Sequence, residues 1–457
     1  MSRVNLFLFI LLFITCKESE PYEGEEYVIK NVSLITMTDK GILADQTVVI
    51  RGDSIFHIGD RIGDFSSGSK AKIIDGTGKY LMPGLTEMHA HIPVAEGGND
   101  TLVKETLFLY LSQGVTTIRG MLGDPYHLEL KQLIAEDKIL SPRVYTSSPS
   151  VNGGTVKTKE EAIDKVTQYK NDGYDFLKIH PGITAEVWDA VEATAKEVGI
   201  PYAGHVPVEV GIHRALDANY QTVDHLDGFI DGLIPAGQEF DKDGGGFFGY
   251  GFTDFVDKGM IKELVAKTKL NRVAVVPTQT LFTRWFSPED PAQMLQQPEM
   301  KYMPSKTRFA WRQNKERMIN NETYNEATWE KYIEIRKAIL REMDEQDVTF
   351  LLGSDAPQVM NVPGFSIHHE MQAMADAGIG NKKILESGTV GPARFFSAQG
   401  SYGEITVGSS ADLVLIDENP LVNIENTRSI SGVMVRGQWL SKKDINTRLK
   451  EIAKRNE

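Results

Sequence analysis

Ten histidines and one cysteine are spread over 457 residues, and two of the histidines stand almost side by side. His89 and His91 end the apolar run Leu81-Met-Pro-Gly-Leu-Thr-Glu-Met-His-Ala-His91. On an extended strand alternate side chains share a face, so both imidazoles point at one spot. Two neutral imidazoles converging there make half a metal site. The bland alternative is a pair of unrelated polar residues at a strand end. Later segments weigh against it, because each is a short apolar or β-branched run ending in a polar group. These groups are Arg119, Lys178 with His180 two residues on, His205, His225 and Asp355. His180 shares the face of Lys178 and is either a substrate contact or a rim histidine. Arg119 closes its run and could clamp a substrate carboxylate bidentately, with a barrel-mouth salt bridge as the alternative. Taken singly, His205 and His225 could be satisfied structural histidines and Asp355 a turn or N-cap residue.

The runs need a scaffold, and their order suggests one. Strand-like runs fall at Leu81–His91, Val115–Arg119, Arg143–Ser147, Asp175–His180, Pro201–His205, Thr222–Leu226, Arg272–Thr278 and Val348–Asp355. Helical stretches lie between most of them, at Thr101–Gln113, Tyr126–Asp137, Lys159–Asp172, Ala185–Val198 and Ile212–Ala218. Eight strands alternating with helices predict an α/β chain folded as a (β/α)8 TIM barrel, whose chemistry sits at the C-terminal ends of the strands. Before it, residues 27–80 read as short β runs punctuated by Gly41, Gly52-Asp53 and Gly76-Thr77-Gly78, the first part of a small β domain. The barrel is expected over 81–400. Strand pattern returns over 401–443 and should rejoin the first part as one discontinuous β-sandwich domain, and 444–457 reads as a charged terminal helix. Two crossovers are overlong, 227–271 and 281–346, and insertions on that side of a barrel usually shape the substrate mouth. Gly244-Gly-Gly-Phe-Phe-Gly-Tyr-Gly251 lacks the strand-turn-helix context of a phosphate loop. His368-His369-Glu370 lacks metalloprotease spacing and reads as a helix start.

Composition narrows the partners. A net charge of -14 with no basic run argues against a nucleic acid. The single cysteine, Cys16, rules out an internal disulfide framework and any sulfur-based zinc site. It follows Arg3 and the apolar run Val4 to Ile14, which is too short to span a bilayer and has the length of a signal-peptide core. Phe13-Ile14-Thr15-Cys16 resembles the lipobox of bacterial lipoproteins. Residues 1–16 are thus expected to be a lipoprotein signal peptide, 17–26 a polar tether, and Cys16 the site of lipidation. The expected protein is exported and held at a membrane by its N-terminal lipid, with a small-molecule substrate and a possible homo-oligomeric state.

Five motifs in order carry a resemblance to the amidohydrolase superfamily: Pro83-Gly84-Leu85 with His89-Ala90-His91, Phe176-Leu177-Lys178-Ile179, Gly204-His205-Val206-Pro207, Val223-Asp224-His225-Leu226 and Gly353-Ser354-Asp355-Ala356. Gly408-Ser-Ser-Ala-Asp-Leu-Val-Leu-Ile-Asp417 resembles that family's return into its small β domain. The lysine motif looks most like the imidazolonepropionase-related and prolidase-like branch. The resemblance implies a binuclear site, with His89, His91 and Asp355 on a buried ion and His205 and His225 on a more exposed one. Lys178, carboxylated by CO2 to a carbamate, would bridge them. The ions would be two divalent metals, zinc by preference, with manganese, iron or cobalt also suited to such ligands. A metal-bridging hydroxide would attack the carbonyl, and Asp355 would carry the proton to the leaving amine. The expected reaction is hydrolysis of a C–N bond in an amide, dipeptide or cyclic amide. The rivals are an esterase, lactonase or phosphotriesterase on the same site, and a non-catalytic surface lipoprotein.

Overall fold

The computed structural model describes residues 24–60, 70–239 and 242–457. The expected signal peptide, Cys16 and most of the tether lie outside them. Among the described residues no helix is long and apolar enough to cross a membrane.

The described strands fall into two sheets. The first collects β1 (Glu26–Ile35), β2 (Ile42–Arg51), β3 (Ser54–Gly59), β4 (Lys72–Asp75) and β5 (Tyr80–Pro83). The second is β6 (Leu85–Ala90), β7 (Val115–Gly120), β8 (Arg143–Val151), β9 (Phe176–Ile179), β10 (Tyr202–Gly204), β11 (Thr222–Asp224) and β12 (Ala274–Val276). The chain then returns to the first sheet with β13 (Leu413–Ile416), β14 (Ile430–Val435) and β15 (Gln438–Ser441). Hydrogen bonding runs through all eight strands of the mixed sheet, because β13 pairs antiparallel with β5. Its core is its own, built on Ile29, Leu34, Val48, Leu81 and Leu413.

The seven strands β6 to β12 are parallel neighbours in chain order, the topology of a barrel. Residues Val348–Asp355 take the eighth place as expected, but without a regular ladder. Phe350 bridges Val275 on one side and Ala356 bridges Ala90 on the other. The ladder breaks because a buried side chain competes for its donors. Glu87 on β6 accepts the backbone N–H of His89 at 3.0 Å and of Ser354 at 2.8 Å. Close packing adds a second constraint, since a Cβ on Gly353 would meet Val276 Cγ1 at 2.5 Å.

The run Leu81–His91 divides between the two sheets. Pro83 ends β5 in the mixed sheet and Leu85 begins β6 in the barrel. Gly84 between them has no room for a side chain, because a Cβ would come within 2.0 Å of Thr116 Oγ1.

Helices clothe the barrel, and their ends are set by residue type. Thr158 accepts the Glu161 N–H to start Lys159–Asp172, and left-handed Gly173 stops it. Thr184 and Gly199 do the same for Ala185–Val198. Ser441 and Asp444 form a reciprocal capping box at the head of Lys442–Arg455. Gly244–Gly251 forms no phosphate loop. Phe247–Phe255 coils as 3-10 turns kinked at Phe248 and Gly249, and the long helix Glu326–Glu345 supports it through Tyr332, whose hydroxyl donates to Phe248 O at 3.1 Å.

Candidate metal centre

β6 delivers His89 and His91 to the barrel mouth, and the eighth run delivers Asp355 opposite them. His91 Nε2 lies 2.7 Å from Asp355 Oδ1, and His89 Nε2 lies 3.6 Å from the same oxygen. One donor atom from each of the three falls within 4.8 Å of the others. Burial lowers His89 to about 4, so its imidazole is neutral at physiological pH. Burial would raise Asp355, but His89 and His91 outweigh it and hold the carboxyl below its usual range. Neutral imidazoles beside an ionised carboxylate are the forms that bind a divalent ion.

The second pair of histidines sits against the first. The His225 ring lies 4.5 Å from that of His89, and His205 lies 4.8 Å from His225. His225 Nδ1 is 2.9 Å from Thr278 Oγ1, and His205 Nδ1 is 3.0 Å from Asp227 Oδ2. This corner rests on irregular backbone. His225, Leu226 and Thr278 all have positive φ, as does Asp355 across the mouth, a region that costs a non-glycine residue about 1–3 kcal/mol. Arg336, fully buried on Glu326–Glu345, holds the corner in place. It donates to His225 O at 2.7 Å, Pro277 O at 2.8 Å and Gln279 Oε1 at 2.6 Å, with its guanidinium 3.6 Å over Phe282.

Lys178 comes up from β9 into the same space, within electrostatic reach of His89, His225 and Asp355. Its Nζ is buried and has no hydrogen-bond partner among the described residues. Burial lowers its amine to about 8. Gly204 makes room for it, since a Cβ there would stand 3.0 Å from Lys178 Cδ. His180 stacks on His205 at 4.9 Å, and its Nδ1 lies 2.8 Å from Ser150 Oγ.

Arg119 differs from expectation. It lies wholly buried inside the barrel and not at the mouth. Its guanidinium sits 4.6 Å from the Phe176 ring and 5.4 Å from that of Phe395, and Nη2 donates to Thr222 Oγ1 at 2.8 Å. Phe176 begins β9 and Thr222 begins β11, so the side chain reaches toward the strands' N-terminal ends, away from the ends that carry the histidines. Its role runs through Asp224. Thr222 Oγ1 donates to Asp224 Oδ1 at 2.7 Å, and Asp224 Oδ2 faces His89 Nδ1 at 3.0 Å. With that nitrogen set against the Asp224 carboxylate, the His89 Nε2 faces the ligand cluster.

Sequence reasoning missed Asp224, Asp227 and Thr278, the groups that orient His89, His205 and His225. Two of them flank His225 in Asp224-His225-Leu226-Asp227, yet neither serves it. Asp224 precedes His225 and orients His89, which only the closed barrel brings near. Phe248 was also missed; its ring lies 5.8 Å from His205 and 5.2 Å from His225 and covers the pair. His368-His369-Glu370 lies within the helix Phe365–Asp376, which starts three residues earlier than the expected helix start. Glu370 accepts the N–H groups of Gln279 and Thr280 at 2.9 and 2.6 Å.

A barrel with histidines, a lysine and an aspartate converging at its strand ends frames a candidate metal site. Residues 80–440 match the Amidohydrolase family, and the chain belongs to it. Among curated relatives, it is 26% identical over 263 residues to an imidazolonepropionase of Idiomarina loihiensis, covering 44% of this chain and 63% of that one. It is 29% identical over 130 residues to an adenine deaminase of Ruegeria sp., covering 27% of this chain and 20% of that one. The chain therefore spans less than two thirds of either relative. Among solved structures, a Xaa-Pro dipeptidase with bound methionine superposes with a TM-score of 0.64 at 20% identity, covering 91% of this chain and all of that one. A bottromycin amidohydrolase gives 0.67 at 19%, covering 93% and 90%. At these identities the likeness is one of fold.

Proposed function

We propose that this protein is a binuclear metal-dependent amidohydrolase that hydrolyses a C–N bond in a small amide, dipeptide or cyclic amide. One observation carries the reading. Five ligand-type side chains converge around a buried lysine amine that has no hydrogen-bond partner among the described residues. The donor set fits divalent ions of the zinc kind, with His89, His91 and Asp355 holding one and His205 and His225 the other. Manganese, iron or cobalt would also suit these ligands. Bound there, such ions polarise a carbonyl and bring the pKa of water down from 15.7 to about 7.

The chain's own residues account for the rest. An unpartnered cation would be repelled by two metal ions, whereas a carbamate formed from the neutral Lys178 amine and CO2 is an anionic oxygen ligand for both. The lowered lysine pKa supports this, because only the neutral amine reacts. Asp355, bonded to His91, takes the proton of the attacking water and passes it to the leaving amine. Phe248 keeps bulk water off the His205–His225 side.

The test is Lys178→Ala. The variant should lose at least one equivalent of metal by elemental analysis, together with its activity, and a small carboxylic acid should restore part of both. Apo-protein should reload better with bicarbonate present. A variant with full metal content and full turnover would sink the proposal. A panel of dipeptides, lactones and aryl esters decides the bond cleaved, and turnover confined to esters would replace amide by ester hydrolysis. We further propose that Cys16 is lipid-modified and holds the protein at a membrane, with two or three acyl chains needed for stable anchoring. Intact mass of membrane-extracted protein checks this, and an unmodified Cys16 would end it.

A further inference from the structure

A cavity of about 650 Å³ lies at the N-terminal ends of the last barrel strands, within the range of roughly 300–1,000 Å³ typical of ligand pockets. Gln221 before β11, Arg272 before β12 and Asp347 before the eighth run line it from the barrel side. The short helices Asn381–Gly388 and Val390–Phe395 close it from the other. None of the residues assigned to the metal ions lines it.

The charges around this space do not cancel. Asp347 pairs with Lys383 at 2.8 Å, and Glu386 faces Lys382 at 3.6 Å. Both acidic side chains of the lining are thereby answered. Arg272 and Arg394 line the same space, and neither guanidinium has a hydrogen bond or ion pair among the described residues. A third guanidinium stands behind the wall. Arg119 is fully buried 5.4 Å from the Phe395 ring, and its Nε and Nη1 have no hydrogen-bond partner among the described residues. A charge held in the low-dielectric interior acts further than one in water, so Arg119 adds to the positive potential of the cavity.

The backbone gives an independent sign. The helices Lys159–Asp172 and Ala185–Val198 each stop on a left-handed glycine. The turn after Ile261–Leu270 uses the same conformation, but the residue is Arg272, at φ 55. A side chain is disfavoured there and glycine is the default. Barrel catalysis occupies the opposite ends of the strands, so the metal centre does not account for the choice. A strained residue of this kind points to what its side chain serves, and Arg272 serves the cavity.

We infer that the cavity binds a dianionic small molecule, a phosphate ester or a dicarboxylate, with Arg272 and Arg394 as its counter-charges. Guanidinium groups match both anions in bidentate geometry. This is a second ligand site, apart from the metal centre, and it does not rest on the proposed hydrolysis.

Calorimetric titrations of metal-loaded protein with inorganic phosphate, succinate and acetate test it in the wild type, Arg272→Gly, Arg394→Met and Arg312→Met. Arg312 pairs with Glu316 outside the cavity and serves as the control. Phosphate or succinate should bind about tenfold more tightly than acetate, and each cavity substitution should weaken that binding about tenfold, as for one lost charge-assisted contact. Arg312→Met should leave it unchanged. Arg272→Gly should keep or raise Tm, because glycine suits the turn, whereas an arginine kept for structure would lower it on removal. Phosphate is also a ligand for metal ions, so the place of binding is read separately. Phosphate or succinate, whichever binds, should protect Arg272 and Arg394, but not Arg312, from an arginine-selective dicarbonyl reagent, followed by peptide mass spectrometry. Phosphate bound without succinate supports the site and names a phosphate ester; the reverse supports it and names a dicarboxylate. Acetate bound as tightly as either dianion, binding undiminished in both cavity variants, no protection of the two arginines, or a lowered Tm in Arg272→Gly overturns the inference.

Discussion

The two corners of the candidate metal centre are built differently. At one, His89 lies on β6 and His91 directly follows it, Asp355 faces them from a left-handed backbone of its own, and Asp224 stands against His89 from fully buried ground. At the other, His205 and His225 follow very short strands. Their backbone turns left-handed at His225, and they depend on a buried arginine and an aromatic ring borrowed from the insertions. The first corner is a product of the barrel itself. The second is a product of what was added to it, so it is the corner that can vary with substrate while the first stays fixed.

The comparison can be broken at several points. Asp355→Asn should have the largest effect, since it removes a ligand and a proton carrier together. kcat should fall by about 10²–10⁴-fold for the lost proton transfer. Any substrate turned over at the wild-type rate by the purified variant would defeat the assignment. Next, Asp224→Asn should weaken the ion proposed at His89, His91 and Asp355 by about 10–100-fold, the usual cost of losing a group that orients a ligating histidine. Competition with a chelator reads this directly. Asp227→Asn should cost less and affect only the ion proposed at His205 and His225, because His205 and Asp227 stay partly open to water. Equal losses from the two variants would mean that the corners are not built differently after all. The smallest effect is expected from Phe248→Ala. Losing an aromatic contact worth about 0.5–1.5 kcal/mol should weaken the second ion by less than about tenfold and leave the first alone.

The same contrast explains what could be read from the residues. The ligand types were legible because strand periodicity places them: His-x-His shares a face, and each remaining group ends its own apolar run. The alternation of strands and helices gave the barrel for the same reason. Arg119 was misplaced because its position at the end of a run looks the same whether the side chain turns up to the mouth or down into the barrel. Only Phe176, Thr222 and Asp224, distant in sequence, settle that. Asp224 was hidden by its neighbour, since adjacency to His225 says nothing about service to His89. The eighth strand was found, but its broken ladder was not, because the break comes from Glu87 reaching across from another strand.

The division of one apolar run at Gly84 sets the order in which this protein can be made. β5 needs β13 as its partner, and Lys79 on the approach to β5 pairs with Asp417, 338 positions away. β6 and its two histidines follow β5 without a linker. During synthesis the strand that carries His89 must therefore wait, its upstream half lacking a neighbour on one edge, until β13 has left the ribosome. Contacts of such long range slow folding and leave unpaired edges exposed in the meantime. A truncation before β13 should remove more than a peripheral sheet: it should leave the nascent chain dependent on chaperones and unable to fix the strand that carries His89 and His91.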